Sequence, residues 1–428
     1  MEEFLNASRI ASSQLTSYKT IRVILGNPTC DLDSAICTLV QGLLEYTDVK
    51  KQQLANVAVI PVMNIPEKEF CVKTEVIYSL KSHGIPLSLL TFRDQISLQN
   101  VHSNCNKKLE LILVDHHTLS NEDIALKSLV VTIIDHRPLD PTWLWPNNVL
   151  LNVETVGSCA TLVARNVLQN NPDILDAQIS SLLRGPILID TYNMSDEAGR
   201  ATATDVAILN TLEQLGGLTS DRTETFEKLM HAKTDINELT LEQLMIKDLK
   251  VTNGIPLVGF PLLVENFLMR ENAEEVVEKF ANERNCNVVV LIGQHVMKDR
   301  VSRDIVIYST LCNQLANDII QALAESIQPF FNLELIKKIE KEKFTLCLYR
   351  QGNVKWNAIP IPSLAIGMSH PSALSRIIYR KVLFSPDVAV TVEGNVATTG
   401  HPSLARMSQR YVGSKCIVKT VHNCFSIL

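Results

Sequence analysis

The sequence lacks paired C-x-x-C cysteines, long apolar runs and blocks of basic residues. Its ten cysteines are scattered between Cys30 and Cys424, a distribution typical of free thiols in a reducing compartment and not of a zinc ribbon or a disulfide framework. No apolar run approaches the ~20 residues that a membrane-spanning helix needs. The net charge of −6, with acids and bases interleaved, argues against a nucleic-acid groove.

The N-terminal segment, residues 1–19, also lacks the apolar region of a signal peptide. The stretch FLNASRIASSQLTSYKTIR is rich in serine, contains Arg9, Lys19 and Arg22, and has no acidic residue. This composition resembles a weak mitochondrial transit segment, but a plain flexible leader explains it more simply. We therefore expect a cytoplasmic protein, with a mitochondrial location as the alternative.

The length of the chain, 428 residues, exceeds one ordinary core and predicts two domains. In residues 20–220, apolar β-branched runs alternate with helical stretches, which predicts an α/β domain with a doubly wound parallel sheet. Strand-like runs lie at 20–26, 55–63, 86–92, 109–115, 128–135 and 186–190. Helices are expected at 34–46, 74–83, 158–169 and 176–185.

A shift to polar composition places the domain boundary near residue 220. Residues 221–428 are predicted to form a second, smaller α/β domain. Its expected helices lie at 222–232, 239–250, 262–284 and about 311–326, and its expected strands are NVVVLIG, RDIVIYS and FTLCLYR. We find no internal repeat.

Acidic and histidine residues follow four of the apolar runs in the first half. These residues are Asp31 and Asp33; Asp115, His116 and His117; Asp135, His136 and Arg137; and Asp190. Each group alone has a plainer explanation, because an acid after an apolar run is often only a helix N-cap and a lone histidine is often an ordinary core or surface residue. Four groups at the carboxyl ends of predicted strands, where α/β sheets bind ligands, indicate one shared site.

The chemistry that uses such a site is a pair of divalent cations. Carboxylates suit Mg²⁺ and Mn²⁺, and a neutral imidazole shifts the preference towards Mn²⁺. Two cations ~3.5–4 Å apart, joined by a bridging carboxylate, clamp a phosphoryl group and lower the pKa of a water molecule between them. The pattern therefore predicts a two-metal phosphoesterase.

Five motifs, in this order along the chain, resemble those of the DHH phosphoesterase superfamily: GNPTCDLDS, LILVDHH, DHRP, VGSCATLV and ILIDTYNM. The similarity is to the branch that contains family II inorganic pyrophosphatases, exopolyphosphatases and prune-like proteins. It covers residues 20–200 and weakens over the second half. The resemblance implies a DHH domain, a smaller DHHA2-like domain that closes over the substrate, and an active site between them.

The resemblance also implies metal ligands. The implied ligands are Asn27, Asp31, Asp33, Asp115, His136 and Asp190. Asp31 and Asp33 would each hold one cation, and Asp115 would bridge both. Asn27 stands where the pyrophosphatases have a histidine, which implies a weaker first site. The implied cofactors are two divalent cations, Mn²⁺ or Mg²⁺.

Further residues are implied to act on the substrate. Those assigned to catalysis are Asp115, His116, His117 and Arg137, with the two histidines in a substrate-proton or supporting role. Those assigned to the substrate phosphates are Arg137, His231 and Lys415. The C-terminal basic motif of the family is thinner here, since GSKCIV contains Lys415 but no arginine, which predicts weaker binding of long polyanions.

Two classes of function fit these residues. The first is an enzyme, with short-chain exopolyphosphatase or cyclic-nucleotide phosphodiesterase activity implied by the resemblance. The second is an interaction protein with a weak or vestigial site, for which the resemblance implies contact with nucleoside diphosphate kinase. All the metal ligands of the first half are present, which favours the enzyme.

Overall fold

The first domain of the computed structural model is built on one parallel sheet with helices on both faces, which confirms the expected α/β class. The structure describes residues 1–103, 107–252, 254–297, 300–311, 313–325 and 332–351. The strands are β1 (Thr20–Leu25), β2 (Val57–Met63), β3 (Thr91–Phe92), β4 (Lys108–Val114), β5 (Val130–Asp135) and β6 (Leu150–Val153). The helices are α1 (Glu2–Ser13), α2 (Leu32–Lys51), α3 (Thr74–Ser82), α4 (Leu98–Ser103), α5 (Cys159–Asn170), α6 (Ala177–Asp190), α7 (Ala203–Leu215) and α8 (Arg222–Thr234).

The order of the strands determines where a ligand can bind. It is β3-β2-β1-β4-β5-β6, and every neighbouring pair is parallel. The connections run outwards in opposite directions from β1 and β4, so the topological switch lies between these two strands. Because open α/β sheets bind ligands at the carboxyl ends of the strands beside such a switch, the segments that begin with Gly26 and Asp115 form the start of a crevice.

Residues 1–19, the segment expected to be a leader, contain a helix. Most of them form α1, whose Phe4 and Leu5 are buried in the core of the first domain. The ring of Phe4 lies 5.3 Å from that of Tyr46 on α2. This N-terminal segment is therefore packed as part of the domain, because its apolar side chains are buried against α2 and β2.

Two strand predictions in the first domain were wrong. The run 86–92 forms a short 3-10 turn and only a two-residue strand, β3. The run 186–190 is the end of α6, which packs against α2, α5, α7 and α8. A helix that is covered on every side is apolar all round, so it lacks the periodicity that separates a helix from a buried strand.

The helix that follows residue 220 packs on the first domain. Helix α8, which the sequence placed in the second domain, packs on α3 and α6 and buries Leu229 in the first core. The second core begins with the partly buried Ile236 and Leu239. The core of the first domain therefore includes α8, which lies beyond residue 220.

The second domain is the expected smaller α/β unit, with a mixed sheet. Its helices are α9 (Leu241–Lys247), α10 (Val264–Leu268), α11 (Ala273–Glu283) and α12 (Gln314–Ala324), and its strands are β7 (Asp248–Thr252), β8 (Ile255–Phe260), β9 (Val288–Met297), β10 (Arg300–Thr310), β11 (Leu333–Glu340) and β12 (Phe344–Gln351). The order is β11-β12-β10-β9-β8-β7, in which only β8 and β9 are parallel.

The expected helix at 262–284 is interrupted in the structure. It divides into α10 and α11, and Asn272, just before α11, has a left-handed φ of 61°. The expected helix at 239–250 ends at Lys247 and continues as β7. In the residues that the structure describes, no helix is both long and apolar enough to cross a bilayer.

Candidate metal centre

The loop from β1 to α2 brings the first two carboxylates to the crevice. Asp31 is the N-cap of α2, and its Oδ1 accepts a hydrogen bond of 3.1 Å from the backbone N–H of Ser34. A Cβ on Gly26 would lie 2.6 Å from the Oγ of Ser34, so glycine allows the helix to begin close to the strand. The N-cap explanation for Asp31 is therefore correct, and its other oxygen, Oδ2, accepts a long hydrogen bond of 3.5 Å from the Oγ1 of Thr29.

Asp33 is buried in the first turn of α2 and is held by a second helix. Its Oδ2 accepts from the backbone N–H of Cys159 (2.7 Å), and its Oδ1 accepts from the N–H of Ala160 (2.8 Å). The thiol of Cys37 donates to the same Oδ1 at 3.3 Å. The two backbone N–H groups at the N-terminus of α5 therefore hold this carboxylate in one orientation.

Asp115 follows β4 with a left-handed φ of 62°, a backbone conformation that costs free energy and that aspartate tolerates better than most residues. The side chain is buried, and neither carboxylate oxygen has a hydrogen-bond donor among the described residues. The amide of Asn27 donates to the backbone oxygen of Asp115 at 2.9 Å. A buried carboxylate without donors requires a proton or a cation.

His136 presents its Nε2 to this carboxylate. The ring Nδ1 lies 3.1 Å from the backbone oxygen of Val156, and Nε2 lies 3.4 Å from Oδ1 of Asp115. A carbonyl oxygen can only accept, so Nδ1 carries a proton, and Nε2 is the ring nitrogen that faces Asp115 and that a cation could take as a ligand. This is how metal-binding histidines are usually oriented.

Three side chains converge closely enough to share one ion. Ligand atoms of Asp33, Asp115 and His136 all lie within 4.8 Å of one another. Two carboxylates and an imidazole are a donor set that Mn²⁺ and Mg²⁺ accept. The unpartnered oxygens of Asp115 and the oriented Nε2 of His136 therefore fit a divalent cation.

The protonation equilibria show an excess of negative charge at this centre. Burial, together with the charges of Asp31 and Asp33, raises the pKa of Asp115 to about 7. Burial and the same two charges raise the pKa of Asp190 well above its usual value. Although burial opposes it, the nearby carboxylate of Asp115 raises the pKa of His136 to about 10. A bound cation would neutralise the charge that causes these shifts.

Three other residues implied as metal ligands border this group. Asp190 ends α6, and its Oδ2 is buried without a donor among the described residues. Asp31 lies near enough for its charge to act on Asp115 and Asp190. The amide oxygen of Asn27 accepts from the backbone N–H of Thr29 at 3.0 Å, so the structure gives Asn27 a role in shaping the loop.

Arg137 faces the centre from its rim. One guanidinium nitrogen, Nη2, lies 3.6 Å from Oδ1 of Asp115, and the side chain is 49% exposed. The exposed part of the guanidinium is open to a substrate. A single arginine also leaves several nearby carboxylates without a countercharge.

The two histidines after Asp115 have different surroundings. Nδ1 of His116 donates to the backbone oxygen of Val114 at 2.9 Å, and burial lowers the pKa of this ring. His117 contacts Asp135 through Nδ1 and the backbone N–H of Asp140 through Nε2. Neither histidine belongs to the three-residue group at the metal centre.

Of the two substrate residues implied in the second half, the structure describes only His231. His231 is exposed on α8, and its side chain has no hydrogen bond or ion pair with a described residue. Lys415 lies outside the described residues.

Four lysines, which we call the lysine cluster, lie beside the crevice and were missed as a group by the sequence analysis. They are Lys73, Lys233, Lys247 and Lys250. The Nζ of Lys247 donates to the backbone oxygen of Val72 (3.0 Å) and to the Oγ1 of Thr74 (2.9 Å), which places it next to Lys73 and joins α9 to the first domain.

The lysine cluster surrounds one acid and reaches the metal centre. All four lysines lie near enough to Asp248 to act on its pKa, which burial nevertheless raises. Burial lowers the pKa of Lys250, and the neighbouring charge of Arg137 lowers it further. The positive charges of Arg137 at the rim and Lys250 in the lysine cluster are therefore close to each other.

Comparison with known proteins identifies relatives of this chain. No protein-family model matches it. Human exopolyphosphatase PRUNE1 is 37% identical over 294 residues, which cover 68% of this chain and 62% of the relative. A protein of Schizosaccharomyces pombe, provisionally named as an exopolyphosphatase, is 27% identical over 369 residues, which cover 82% of this chain and 90% of that protein.

Among solved structures, a Methanococcus jannaschii protein provisionally placed with the family II inorganic pyrophosphatases aligns with a TM-score of 0.49 and 16% identity, over 84% of this chain and 99% of that chain. The chain spans 62% of the length of the human PRUNE1 relative. The ordered motifs, the convergent carboxylates and the sequence identity together place it: the chain belongs to the prune-like branch of the DHH phosphoesterases.

Proposed function

We propose that the protein hydrolyses phosphoanhydride bonds in short inorganic polyphosphates, with divalent cations bound at the metal centre. The observation that carries this proposal is Asp115, a buried carboxylate without donors among the described residues that faces the Nε2 of His136. The sequence similarity to exopolyphosphatases supports the same class of reaction.

Five side chains would hold two cations, Mn²⁺ or Mg²⁺. They are Asp31, Asp33, Asp115, His136 and Asp190. Cations bound there would bind phosphoryl oxygens and lower the pKa of an attacking water molecule. The chain itself supplies the rigidity, because α5 holds Asp33 and the Val156 carbonyl holds His136.

Arg137 and the lysine cluster would hold the substrate. Arg137 lies beside Asp115 with its guanidinium partly exposed, where it can donate two parallel hydrogen bonds to one phosphoryl group. The lysine cluster extends this positive surface away from the centre. Its charge compensates for the thinner basic motif that the sequence shows near Lys415.

The amount of positive charge supports an inorganic polyphosphate over a cyclic nucleotide. The four lysines of the cluster are opposed nearby by Asp248 and Glu75, so the cluster itself has an excess of positive charge. A short polyphosphate has several negative charges, whereas a cyclic nucleotide has one. Cyclic AMP and cyclic GMP therefore serve as comparison substrates.

The non-enzymatic alternative, an interaction protein that binds nucleoside diphosphate kinase, stays a prediction. Under this alternative, the chain should bind nucleoside diphosphate kinase whether or not the metal centre is intact. A pull-down with the wild-type chain and with the Asp115→Asn variant checks this. Equal binding by both would support an interaction role beside any catalysis.

The test of the enzyme is turnover by wild-type protein and by Asp115→Asn. Asparagine tolerates the left-handed backbone at this position, so the substitution removes the charge without adding strain. We expect wild type to hydrolyse tri- or tetrapolyphosphate with Mn²⁺ or Mg²⁺, and Asp115→Asn to lose at least about a thousandfold in kcat/KM.

Asp123→Asn serves as a control, because Asp123 is also buried but pairs with Arg93 away from the metal centre. This variant should keep the wild-type preference among substrates. Equal turnover by wild type and Asp115→Asn, or no turnover of any phosphoanhydride by wild type with either cation, would contradict the proposal.

A further inference from the structure

A chain of hydrogen bonds joins His117 to the segment that contains two residues of the metal centre. Nδ1 of His117 lies 2.5 Å from Oδ2 of Asp135. The other carboxylate oxygen of Asp135 accepts from the backbone N–H of Arg137 at 3.2 Å. On the opposite side of the ring, Nε2 accepts from the backbone N–H of Asp140 at 3.0 Å.

These partners determine which nitrogen of His117 carries the proton. A backbone N–H can only donate, so Nε2 must offer a lone pair to Asp140. The proton therefore lies on Nδ1, where it is donated to Asp135. Both ring nitrogens are occupied by protein groups, and neither is available to a substrate.

The backbone of the same residue is held by a further hydrogen bond, and its side chain is buried. The indole Nε1 of Trp145 donates to the backbone oxygen of His117 at 3.0 Å, and the His117 side chain is 8% exposed. Although burial opposes it, the hydrogen bond from His117 lowers the pKa of Asp135. The ring thus joins both ends of the segment 135–140, which contains His136 and Arg137.

We propose that His117 is a positioning residue: through Asp135 and Asp140 it fixes the segment 135–140, so that Arg137 faces Asp115. It does not transfer a proton to or from the substrate. The inference depends on the proposed function in one respect, since it takes Arg137 as a group that holds a substrate phosphate.

Two substitutions separate the two hydrogen bonds of the ring. The side-chain NH₂ of asparagine lies about as far from the backbone as Nδ1 of histidine, so in His117→Asn this group can still donate to Asp135. The side-chain amide of glutamine lies about as far from the backbone as Nε2, so its oxygen in His117→Gln can accept from the backbone N–H of Asp140. Glutamine has no donor at the position of Nδ1, so the hydrogen bond to Asp135 is lost. Asp135 is the partner that contacts the Arg137 backbone.

We expect His117→Gln to raise KM for tripolyphosphate about tenfold with a change in kcat of less than about threefold, and His117→Asn to remain within about threefold of wild type in both constants. A proton-transfer residue would instead lose kcat in both variants. Equal loss of kcat in His117→Asn and His117→Gln would overturn the proposal.

A double-mutant cycle tests whether the effect passes through Arg137. In the Arg137→Ala background, His117→Gln should change KM by less than about twofold, because the group that it positions is absent. Effects of His117→Gln that are equally large in the presence and absence of Arg137 would overturn the positioning role.

A third measurement does not depend on activity. Hydrogen exchange of the Arg137 and Asp140 amides should become at least about tenfold faster in His117→Ala, and unchanged in His83→Ala, a histidine whose ring bonds Ser79 and Ser181 instead. Unchanged exchange in His117→Ala would overturn the proposal. Faster exchange in His117→Ala, together with no hydrolysis of any phosphoanhydride by wild type, would contradict the proposed function and leave the positioning role supported.

Discussion

Nε2 of His136 and Oδ1 of Asp115 lie 3.4 Å apart, and Nδ1 of the same ring is held by the backbone oxygen of Val156. Two electron-rich atoms at this distance repel each other unless a proton or a cation lies between them. Since the nearby Asp33 adds a further negative charge, the centre is under electrostatic strain without metal.

Metal should therefore stabilise the folded chain. We expect saturating Mn²⁺ to raise the free energy of unfolding of wild type by about 3 kcal/mol at a hundred times Kd. Asp115→Asn should be more stable than wild type in EDTA, because it removes one buried charge. Thermal unfolding with and without Mn²⁺ checks both statements, and a metal-induced increase of equal size in the variant would contradict them.

The stability of the metal-free chain should fall as the pH rises. The folded-state pKa of Asp115, about 7, lies above its ordinary value of 3.8, so the native state holds an extra proton between these pH values and loses that advantage as the pH increases through 7. The folded-state pKa of His136, about 10 against 6.5, extends the same trend upwards.

Urea unfolding in EDTA at about pH 6 and about pH 8.5 measures this trend. Wild type should be less stable at the higher pH, and Asp115→Asn should show a smaller difference. A wild-type stability that increases over this window would contradict the assignment.

The charge of Asp31 can be separated from its capping role. Asp31 and Asp176 are both N-caps with nearly the same backbone geometry, φ −76° and ψ −177° against φ −77° and ψ −177°. Asparagine caps as well as aspartate, so neither Asp31→Asn nor Asp176→Asn should change the free energy of unfolding by more than about 0.5 kcal/mol without metal. Only Asp31→Asn should weaken Mn²⁺ binding, by at least about tenfold.

Isothermal titration with Mn²⁺ compares the two variants directly. Equal Mn²⁺ affinity in Asp31→Asn and Asp176→Asn would show that Asp31 is a cap alone.

Gly157 is required where α5 approaches the end of α6. A Cβ at this position would lie 2.5 Å from Cγ2 of Thr191 and 3.0 Å from Oδ2 of Asp205. Gly157→Ala should therefore cost about 1–3 kcal/mol. Gly185→Ala is the matched control, since its Cβ would lie 3.4 Å from Leu229 and alanine favours a helix interior by about 0.5–1 kcal/mol. Denaturant unfolding should rank the two variants in this order.

The lysine cluster should select for longer anions. Lys233→Gln should lower kcat/KM for tetrapolyphosphate about tenfold and for pyrophosphate less than about threefold, with a difference that shrinks at high salt. Lys228→Gln is the control, because Lys228 lies on the same helix in an exposed pair with Glu224. Equal effects of the two substitutions would remove Lys233 from the substrate surface.

The sequence predicted the centre better than its surroundings. Asp33, Asp115 and His136 follow apolar runs, and parallel topology brings the ends of such runs to one edge of the sheet, so their convergence could be expected from the chain alone. The outer members of the lysine cluster, Lys73 and Lys250, are separated by many residues and meet only because α9 packs on the first domain. No local pattern could reveal that meeting.

The role of His117 was also hidden from the sequence. An adjacent pair of histidines after a strand is as consistent with proton transfer as with structural support. Its two partners, Asp135 and Asp140, become visible only in three dimensions. The run 186–190 was misread for a different reason, since a helix covered on all sides has no polar face to give it a period.

Lys247 donates hydrogen bonds to Val72 and Thr74. The second domain therefore contacts the first outside the group that would hold the cations. All the proposed cation ligands lie before residue 191 in the sequence. Substitutions in residues 233–250 can therefore change which anions the protein prefers without changing those ligands. Divergence among relatives with identical ligands is expected to concentrate there.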